Sequence, residues 1–554
     1  MTGQSELLRV IEAARADDDR RPPARRLPML PVDAPPQAQR TLTAVERFAA
    51  RQDSPDAAPQ ARFYRDLVPL ERPRPGEQYA FEVDLDRCTG CKACVSACHT
   101  MNALDDHELW RTVGLLHGGS TAEPAQQTVT TSCHHCLEPA CLLGCPAQAY
   151  EKDPRTGIVV HLDDQCIGCQ YCTLMCPYEA PKYNRRLGIV RKCDMCSDRL
   201  AHSEAPACVA ACPSGAIAIR IAEREAIVAA SDAQRFLPGV PSPEHTLPAT
   251  QYKTARALPS NMLPADFYTT RPEHGHPPLV VMLTLTQLAV GAFGTALLLE
   301  RASPSQVGGA LAQSVVACAF AVLALGASVL HLGRPLLAWR AVLGLRTSWL
   351  SREALAFGVF TPLAISHSLC TAVPLVRGLT ALVGVLGVFC SVMVYVATRR
   401  EQWSAAQTGI KFFGTTIVLG CAAVFAVSAV TSPLEHGSSD GPRALLWLVL
   451  WGSVIKLAFE ASALLRARDR RSSALKRMAL VMLGDLAAHT RVRFVCGVAG
   501  GVLLPLAIGL GHLGAGATRA LAVVLLGVLL AGELLERYLF FRAAPASRMP
   551  GGLR

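Results

Sequence analysis

The chain has 554 residues and a mean hydropathy of +0.27, with 51% apolar and only 18% charged side chains, against about a quarter charged in soluble domains. At roughly 100–200 residues per domain it must hold three or four units, and its composition excludes a disordered tail protein and argues against a wholly soluble enzyme. The formal charge of +10 suits either nucleic acid or a membrane surface, so the placement of the basic residues has to decide between them.

Residues 1–80 are polar, proline-rich and charged, through DDDRRPPARR, and contain no apolar core of a secretory signal. They predict a mostly extended arm with one short helix near Ala44–Gln52, and an N-terminus that stays in the compartment where it was made. In a reducing cytosol, clustered cysteines mean metal rather than disulfides.

Residues 81–222 carry sixteen of the 21 cysteines, separated by strand-like pieces such as TGIVVHL and AIAIRI. Two groups have the bacterial ferredoxin spacing: Cys88, Cys91, Cys94, Cys98, and Cys166, Cys169, Cys172, Cys176 followed by Pro177. Two more vary the interval but keep the leading CxxC and the closing CxxxCP: Cys133, Cys136, Cys141, Cys145, and Cys193, Cys196, Cys208, Cys212. A cubane presents its irons at fixed corners, and a tight CxxC turn lets neighbouring thiolates reach different irons; Gly90 and Gly168 give two of these turns their backbone freedom. Sixteen thiolates at four per cubane predict four [4Fe–4S] clusters. Structural zinc is the alternative, although its ligands come as two separated pairs. His99, His134 and His135 pack or hydrogen-bond around the clusters, since the thiolates already form complete sets. Such a domain relays electrons and must join two other redox partners.

Residues 223–278 read as a proline-rich connector ending in RPEHGHPPL, and residues 279–541 contain eight apolar stretches of bilayer-crossing length: 279–299, 308–330, 353–373, 378–398, 412–430, 444–465, 494–511 and 520–540. A soluble helical bundle is the alternative, but so many nearly uncharged runs exceed any one soluble core. Fifteen basic residues border the spans on the side shared with the cysteine domain, from Arg334 and Arg340 to Arg491 and Arg493, against Arg301, Arg377, Arg443 and Arg519 opposite. The positive-inside rule therefore puts the cysteine domain and the tail, 542–554, on the cytoplasmic side of the inner membrane. The excess charge belongs to the membrane border and not to nucleic acid.

The runs CTGCKACVSACH, CHHCLEPACLLGCP, CIGCQYCTLMCPYEAPKYN and CDMCSDRLAHSEAPACVAACP resemble the four-cluster iron–sulfur subunit of the dimethyl sulfoxide reductase family of molybdoenzymes. HLGRPLLAWRA, SWLSRE and GELLERYLFF resemble the haem-free membrane anchor of the same enzymes. The resemblance implies a fusion of two usually separate subunits: an α+β ferredoxin-like domain binding four [4Fe–4S] clusters, followed by an all-α eight-helix transmembrane bundle. It implies shared ligand sets: Cys88, Cys91, Cys94 with Cys212; Cys193, Cys196, Cys208 with Cys98; Cys133, Cys136, Cys141 with Cys176; Cys166, Cys169, Cys172 with Cys145. Some relatives lack a thiolate in the third group and carry a [3Fe–4S] centre; here Cys172 is present, so four cubanes are expected.

The resemblance further implies electron exchange with menaquinol and a separate molybdopterin catalytic subunit. His331 and Glu353, at the ends of spans 2 and 3, match positions associated with the quinol site, where a proton acceptor is needed; Arg334 and Arg352 would bias or orient there. The alternative is that all four only anchor helix ends at the interface. Inside the spans, Lys456 and Glu460 stand one turn apart, as a functional pair or an internal ion pair, and Glu533 with Arg537 reads as a snorkelling pair. His367 is read as a lone mid-span histidine and His512 lies near the far surface, so no haem is expected. The chain is thus read as a module that oxidises quinol and feeds a molybdoenzyme without building a proton gradient. Reverse flow into the quinone pool and a zinc-binding membrane scaffold are the alternatives.

Overall fold

The computed structural model describes residues 64–69, 71–269, 271–302, 309–369, 373–431, 440–511 and 513–550. The predicted helix at 44–52 and His512 lie outside them.

The cysteine domain is a set of small sheets and short helices. The strand β1 (Glu77–Asp84) pairs antiparallel with β8 (Ile217–Glu223) over seven residue pairs, so the two ends of the cysteine region are tied together. Between them run α1 (Ala93–Met101), the hairpin β2 (Thr112–Gly119) and β3 (Pro124–Thr131), α2 (Ala140–Gly144), and β4 (Tyr150–Lys152) paired with β5 (Val159–His161). There follow α3 (Tyr171–Met175), β6 (Lys182–Asn184) paired with β7 (Ile189–Arg191), α4 (Ser197–Ala201) and α5 (Ala207–Ala210). TGIVVHL contains the strand Val159–His161, and AIAIRI forms most of the strand Ile217–Glu223. The first strand begins ahead of the boundary expected at residue 81.

The segment expected as a connector folds back onto this domain. After α6 (Arg224–Asp232), β9 (Gln251–Lys253) adds parallel to β1, and β10 (Leu263–Pro264) adds antiparallel to β2. Both strands are too short to show a pattern in sequence.

Eight long helical segments follow: α7 (Pro277–Ala302), α8 (Ala310–Leu330), α9 (Trp349–Leu369), α10 (Pro374–Val396), α11 (Ala405–Thr431) and α12 (Asp440–Leu465) come first. After the short α13 (Ala474–Leu483) come a broken span, α14 (Ala487–Val498) with α15 (Leu504–Leu510), and α16 (Ala515–Arg542). The break is a π turn, Ala499–Leu503, just ahead of Pro505, whose missing amide disrupts the helical ladder. Among the described residues, seven of the eight are long and apolar enough to cross a bilayer. The exception, α9, keeps the length but carries Glu353, Thr361, Pro362 and His367, of which Glu353 and Thr361 lie on the face that lines a largely apolar cavity.

The helix α7 lies at the centre, packed on α8 and α11. Backbones nearly touch at Gly291 and Gly420: a Cβ at Gly291 would lie 1.9 Å from the Thr416 carbonyl. Small residues permit such close crossings in lipid. Leu298, Leu323, Leu382, Trp451 and Val523 instead point outward and are exposed. That is the reverse of a soluble core and fits a lipid-facing surface. The chain is a multi-pass membrane protein.

Candidate functional site

The four CxxC turns share one backbone device. Their third residues, Gly90, His135, Gly168 and Met195, all take positive φ, between +43° and +73°. Two turns use glycine; the other two hold a side chain in a conformation that L-residues rarely adopt. At His135 the ring repays the strain, since Nδ1 accepts the Val159 amide at 3.1 Å. Amides also point at sulfur: Gly168 N–H at Cys166 (3.4 Å), Met195 at Cys193 (3.4 Å), Ala149 at Cys145 (3.2 Å) and Ala216 at Cys212 (3.2 Å).

These turns bring the thiols together in fours. Cys133, Cys136, Cys141 and Cys176 ring one cavity, beside His134, His135 and Lys192. Cys145, Cys166, Cys169 and Cys172 ring a second, and Cys88, Cys91, Cys94 and Cys212 a third. Cys98, Cys193, Cys196 and Cys208 form the remaining group. Burial and then the sulfurs of Cys208 and Cys196 push Cys98 up to about 12, against the lowering field of Arg111. Among the described residues, no three potential ligands converge as they would on a single ion. Four sulfurs ringing an enclosed space suit a polynuclear iron–sulfur group better than one zinc, whose sulfurs would sit about 2.3 Å from the metal.

The histidines of the cysteine domain behave as packing groups. His134 is buried against Tyr178 and Phe236 at 4.5 and 5.5 Å between ring centres, and burial holds its pKa down at about 3. His99 Nε2 lies 3.3 Å from the Asp105 carbonyl.

The CIGC loop docks onto the loop after α8. The amides of Gly333 and Arg334 donate to the carbonyls of Gly168 (3.4 Å) and Ile167 (3.1 Å). The approach needs glycine on both sides: a Cβ at Gly333 would stand 2.1 Å from the Gly188 carbonyl, and one at Gly168 2.2 Å from that same oxygen. Next to this contact, His331 Nε2 donates to the Cys169 carbonyl at 3.3 Å, which leaves Nδ1 as the acceptor nitrogen.

Directly beneath lies a cavity of about 240 Å³ whose lining includes Cys169, Tyr171, His276, His331, Glu353 and Tyr395, the rest being largely apolar. Glu353 is 4% exposed; it accepts a hydrogen bond from the Ser391 hydroxyl, and no ion pair forms at it among the described residues. The His276 and His331 rings meet edge to face at 5.3 Å, and burial holds their pKa values down, at about 3 and about 4. The Tyr171 hydroxyl donates to the Val394 carbonyl at 2.7 Å, pinning the cysteine domain to α10.

Of the four residues singled out for this site, the structure brings together His331 and Glu353 only. Arg334 donates to the Asp163 carbonyl at 2.7 Å, and Arg352 donates to the Leu345 and Arg346 carbonyls while lying over the Trp349 ring at 4.3 Å. Neither lines the cavity. His276, Tyr171 and Tyr395 were missed. A histidine placed one residue before α7, on the same side as His331, was the available signal for the first. A larger cleft of about 460 Å³, lined by Arg399, Arg400, Arg477 and Arg548, borders none of the sixteen cysteines.

The charges inside the spans pair along helices, as Lys456 with Glu460, but more closely across them. Lys456 lies 4.0 Å from Glu460 but contacts Glu533 directly, and Glu460 takes two bonds from Arg493 at 2.8 and 3.0 Å. Arg493 also reaches Glu533 at 3.1 Å, and Lys411 reaches Glu536 at 3.3 Å. Arg537 is fully buried, 3.8 Å over the Phe412 ring and bonded to Gln287 at 2.9 Å, so it does not snorkel. His367 sits in the last turn of α9 rather than mid-span.

Comparison with known proteins places three families on the chain: a 4Fe-4S binding domain at residues 79–100, a 4Fe-4S dicluster domain at 125–221, and the DMSO reductase anchor subunit at 273–542. The chain is 42% identical over 148 residues to the B polypeptide of anaerobic dimethyl sulfoxide reductase from Escherichia coli (strain K12), spanning 25% of this chain and 72% of that protein. It is 38% identical over 150 residues to the corresponding B polypeptide from Haemophilus influenzae, spanning 26% and 73%. It is also 33% identical over 177 residues to the formate dehydrogenase-O iron-sulfur subunit of Escherichia coli (strain K12), spanning 29% and 55%.

Proposed function

Because the chain belongs to the dimethyl sulfoxide reductase family, as a fusion of its iron–sulfur subunit and membrane anchor in one membrane electron-transfer polypeptide, we propose that it oxidises menaquinol. Four [4Fe–4S] clusters, held by the sixteen cysteines, would supply the electron relay to a separate molybdopterin catalytic subunit. Cys88, Cys91, Cys94 and Cys212 hold the first cluster, and Cys98, Cys193, Cys196 and Cys208 the second. Cys133, Cys136, Cys141 and Cys176 hold the third, and Cys145, Cys166, Cys169 and Cys172 the fourth. Bound there, the clusters accept and relay single electrons.

One observation carries the reading. The apolar cavity shares a wall with the fourth thiol set, through Cys169 and His331, and contains a buried carboxyl. Quinol must lose two protons and two electrons to become quinone. Glu353 and the Nδ1 of His331 take the two protons, while Tyr395 and the apolar lining hold the ring and exclude water. The far end of the domain suits the catalytic partner, since Cys91 of the first set is exposed.

The basic border of the spans supports a cytoplasmic side for the cysteine domain and the quinol cavity. Protons released by quinol then leave where reduction consumes them, and the cycle builds no gradient of its own. A reduced menadiol analogue, added anaerobically to vesicles containing the full chain, should bleach the iron–sulfur absorbance, and protease should reach the cysteine domain only in inverted vesicles. Centres that stay oxidised with menadiol, yet reduce with dithionite, refute the quinol reading. Reduction of the quinone pool by the catalytic partner alone would reverse the direction.

A further inference from the structure

Two cations are buried within the cysteine domain, and each stands between thiol sets. Arg111 is 2% exposed; it donates to Thr130 Oγ1 at 3.3 Å and Ser132 Oγ at 2.9 Å, and lies over the Phe81 ring at 4.7 Å. Thr130 in turn lies 3.6 Å from Cys94 Sγ and lines the cavity of the first set. The thiols that act on Arg111 belong to both the first set, through Cys94, and the second, through Cys208, Cys193 and Cys98. Lys192 is 3% exposed, lines the cavity of the third set, and donates to the carbonyls of Val159 and Cys193. Its neighbouring sulfurs are Cys133 and Cys141 of the third set and Cys193 of the second.

The other charges do not cancel this pattern. Asp194 faces the second set but is half-buried, and its carboxylate accepts the Cys196 amide. Lys152 adds to the third set from its edge, bonded to the Cys136 and Leu137 carbonyls. At the junction of the third and fourth sets stands the neutral Tyr150, beside Cys141, Cys145 and Cys172. The fourth set has His161, whose charge is matched by Asp163 at 2.8 Å.

Resting on the cluster assignment above, we propose that Arg111 and Lys192 are positioning cations that offset the charge of the bound clusters and raise their reduction potentials. Arg111 acts on the first and second sets and Lys192 on the second and third, so the second set receives both fields. A fixed, dry cation stabilises the more negative, reduced form of whatever it faces. The fourth set, at the quinol cavity, receives neither.

The test is redox-poised EPR of membranes containing the full chain, with iron content measured alongside. Arg111→Gln should lower the potentials of two centres and Lys192→Gln those of two, with one centre shared. Each should change the reduced-to-oxidised ratio at fixed potential at least tenfold, which is about 59 mV for one electron. Arg111→Lys and Lys192→Arg should stay near wild type. Loss of iron in a Gln variant but not in its charge-conserving counterpart would also support compensation. Fully loaded Gln variants with unmoved potentials, or equal iron loss in the Gln and the charge-conserving variants, would overturn it. An iron-free wild-type chain would instead sink the cluster assignment itself.

Discussion

Replacing Glu353 by Gln removes one proton acceptor and almost no volume. The carboxyl is 4% exposed, at the start of α9, and the Ser391 hydroxyl that donates to it can donate equally to an amide oxygen. Packing around Phe357 and Tyr395 should therefore survive, and the chain should load iron normally. A positioned acid–base group contributes about 10²–10⁴-fold to a rate, which is about 2.7–5.4 kcal/mol of barrier at 1.36 per tenfold. The assay is stopped-flow bleaching of the iron–sulfur absorbance by a menadiol analogue, with dithionite as a reductant that needs no cavity. Glu353→Gln should slow the first by that factor and leave the second unchanged, and Glu353→Asp should recover part of the loss. A quinol rate within about threefold of wild type would show that Glu353 only caps the helix end, and the proton-transfer argument would fall.

Gly333→Ala places a methyl carbon 2.1 Å from the Gly188 carbonyl, and forced overpacking costs about 1–3 kcal/mol; quinol-driven reduction should fall while iron content holds, and an unchanged rate would refute the tight docking. Arg334→Ala and Arg352→Ala should alter the quinol KM and rate by less than about threefold, because both guanidiniums bind backbone carbonyls outside the cavity; a large effect from either would restore it to the site. Lys456→Met leaves the Glu533 carboxylate with the Arg493 guanidinium and the Thr415 hydroxyl, and breaking a buried pair costs about 3–5 kcal/mol; the melting temperature in detergent should fall markedly, with Lys456→Met/Glu533→Leu less affected than Lys456→Met.

The sixteen thiol positions were legible because cluster ligation leaves a fixed spacing in sequence. Their exchange between groups was not, since Cys98 joins Cys193, and Cys145 joins Cys166, only through the tertiary fold; family resemblance supplied that pairing. His331 and Glu353 were legible at the ends of apolar runs. Tyr171 was hidden inside a cysteine motif, where its role in reaching the Val394 carbonyl has no local signature. The arginines misled for a related reason: a basic residue at a span end reports the membrane face, not the direction of its side chain. Likewise, the i,i+4 rule pairs Lys456 with Glu460 because it describes only one helix, whereas Thr415 of α11, Arg493 of α14 and Glu533 of α16 are nearer partners.

Fusion of the two halves changes what their interface has to do. The bonds across it are mostly single hydrogen bonds to backbone carbonyls: Gly344 N–H to Pro146 at 2.8 Å, Ser348 to Gly144 at 2.7 Å, Arg340 to Asp164 at 2.7 Å, and Gln148 to Leu343 at 3.1 Å. Separate subunits would have to draw their affinity from such contacts. Within one polypeptide the second half is present at an effective concentration of about millimolar or above, and β9 and β10 already fold the intervening chain onto the cysteine domain. The contacts are thereby released from supplying affinity and can serve register instead. They cluster on the loops carrying Cys141 to Cys176, so what they fix is the position of the fourth thiol set over the cavity that contains Glu353.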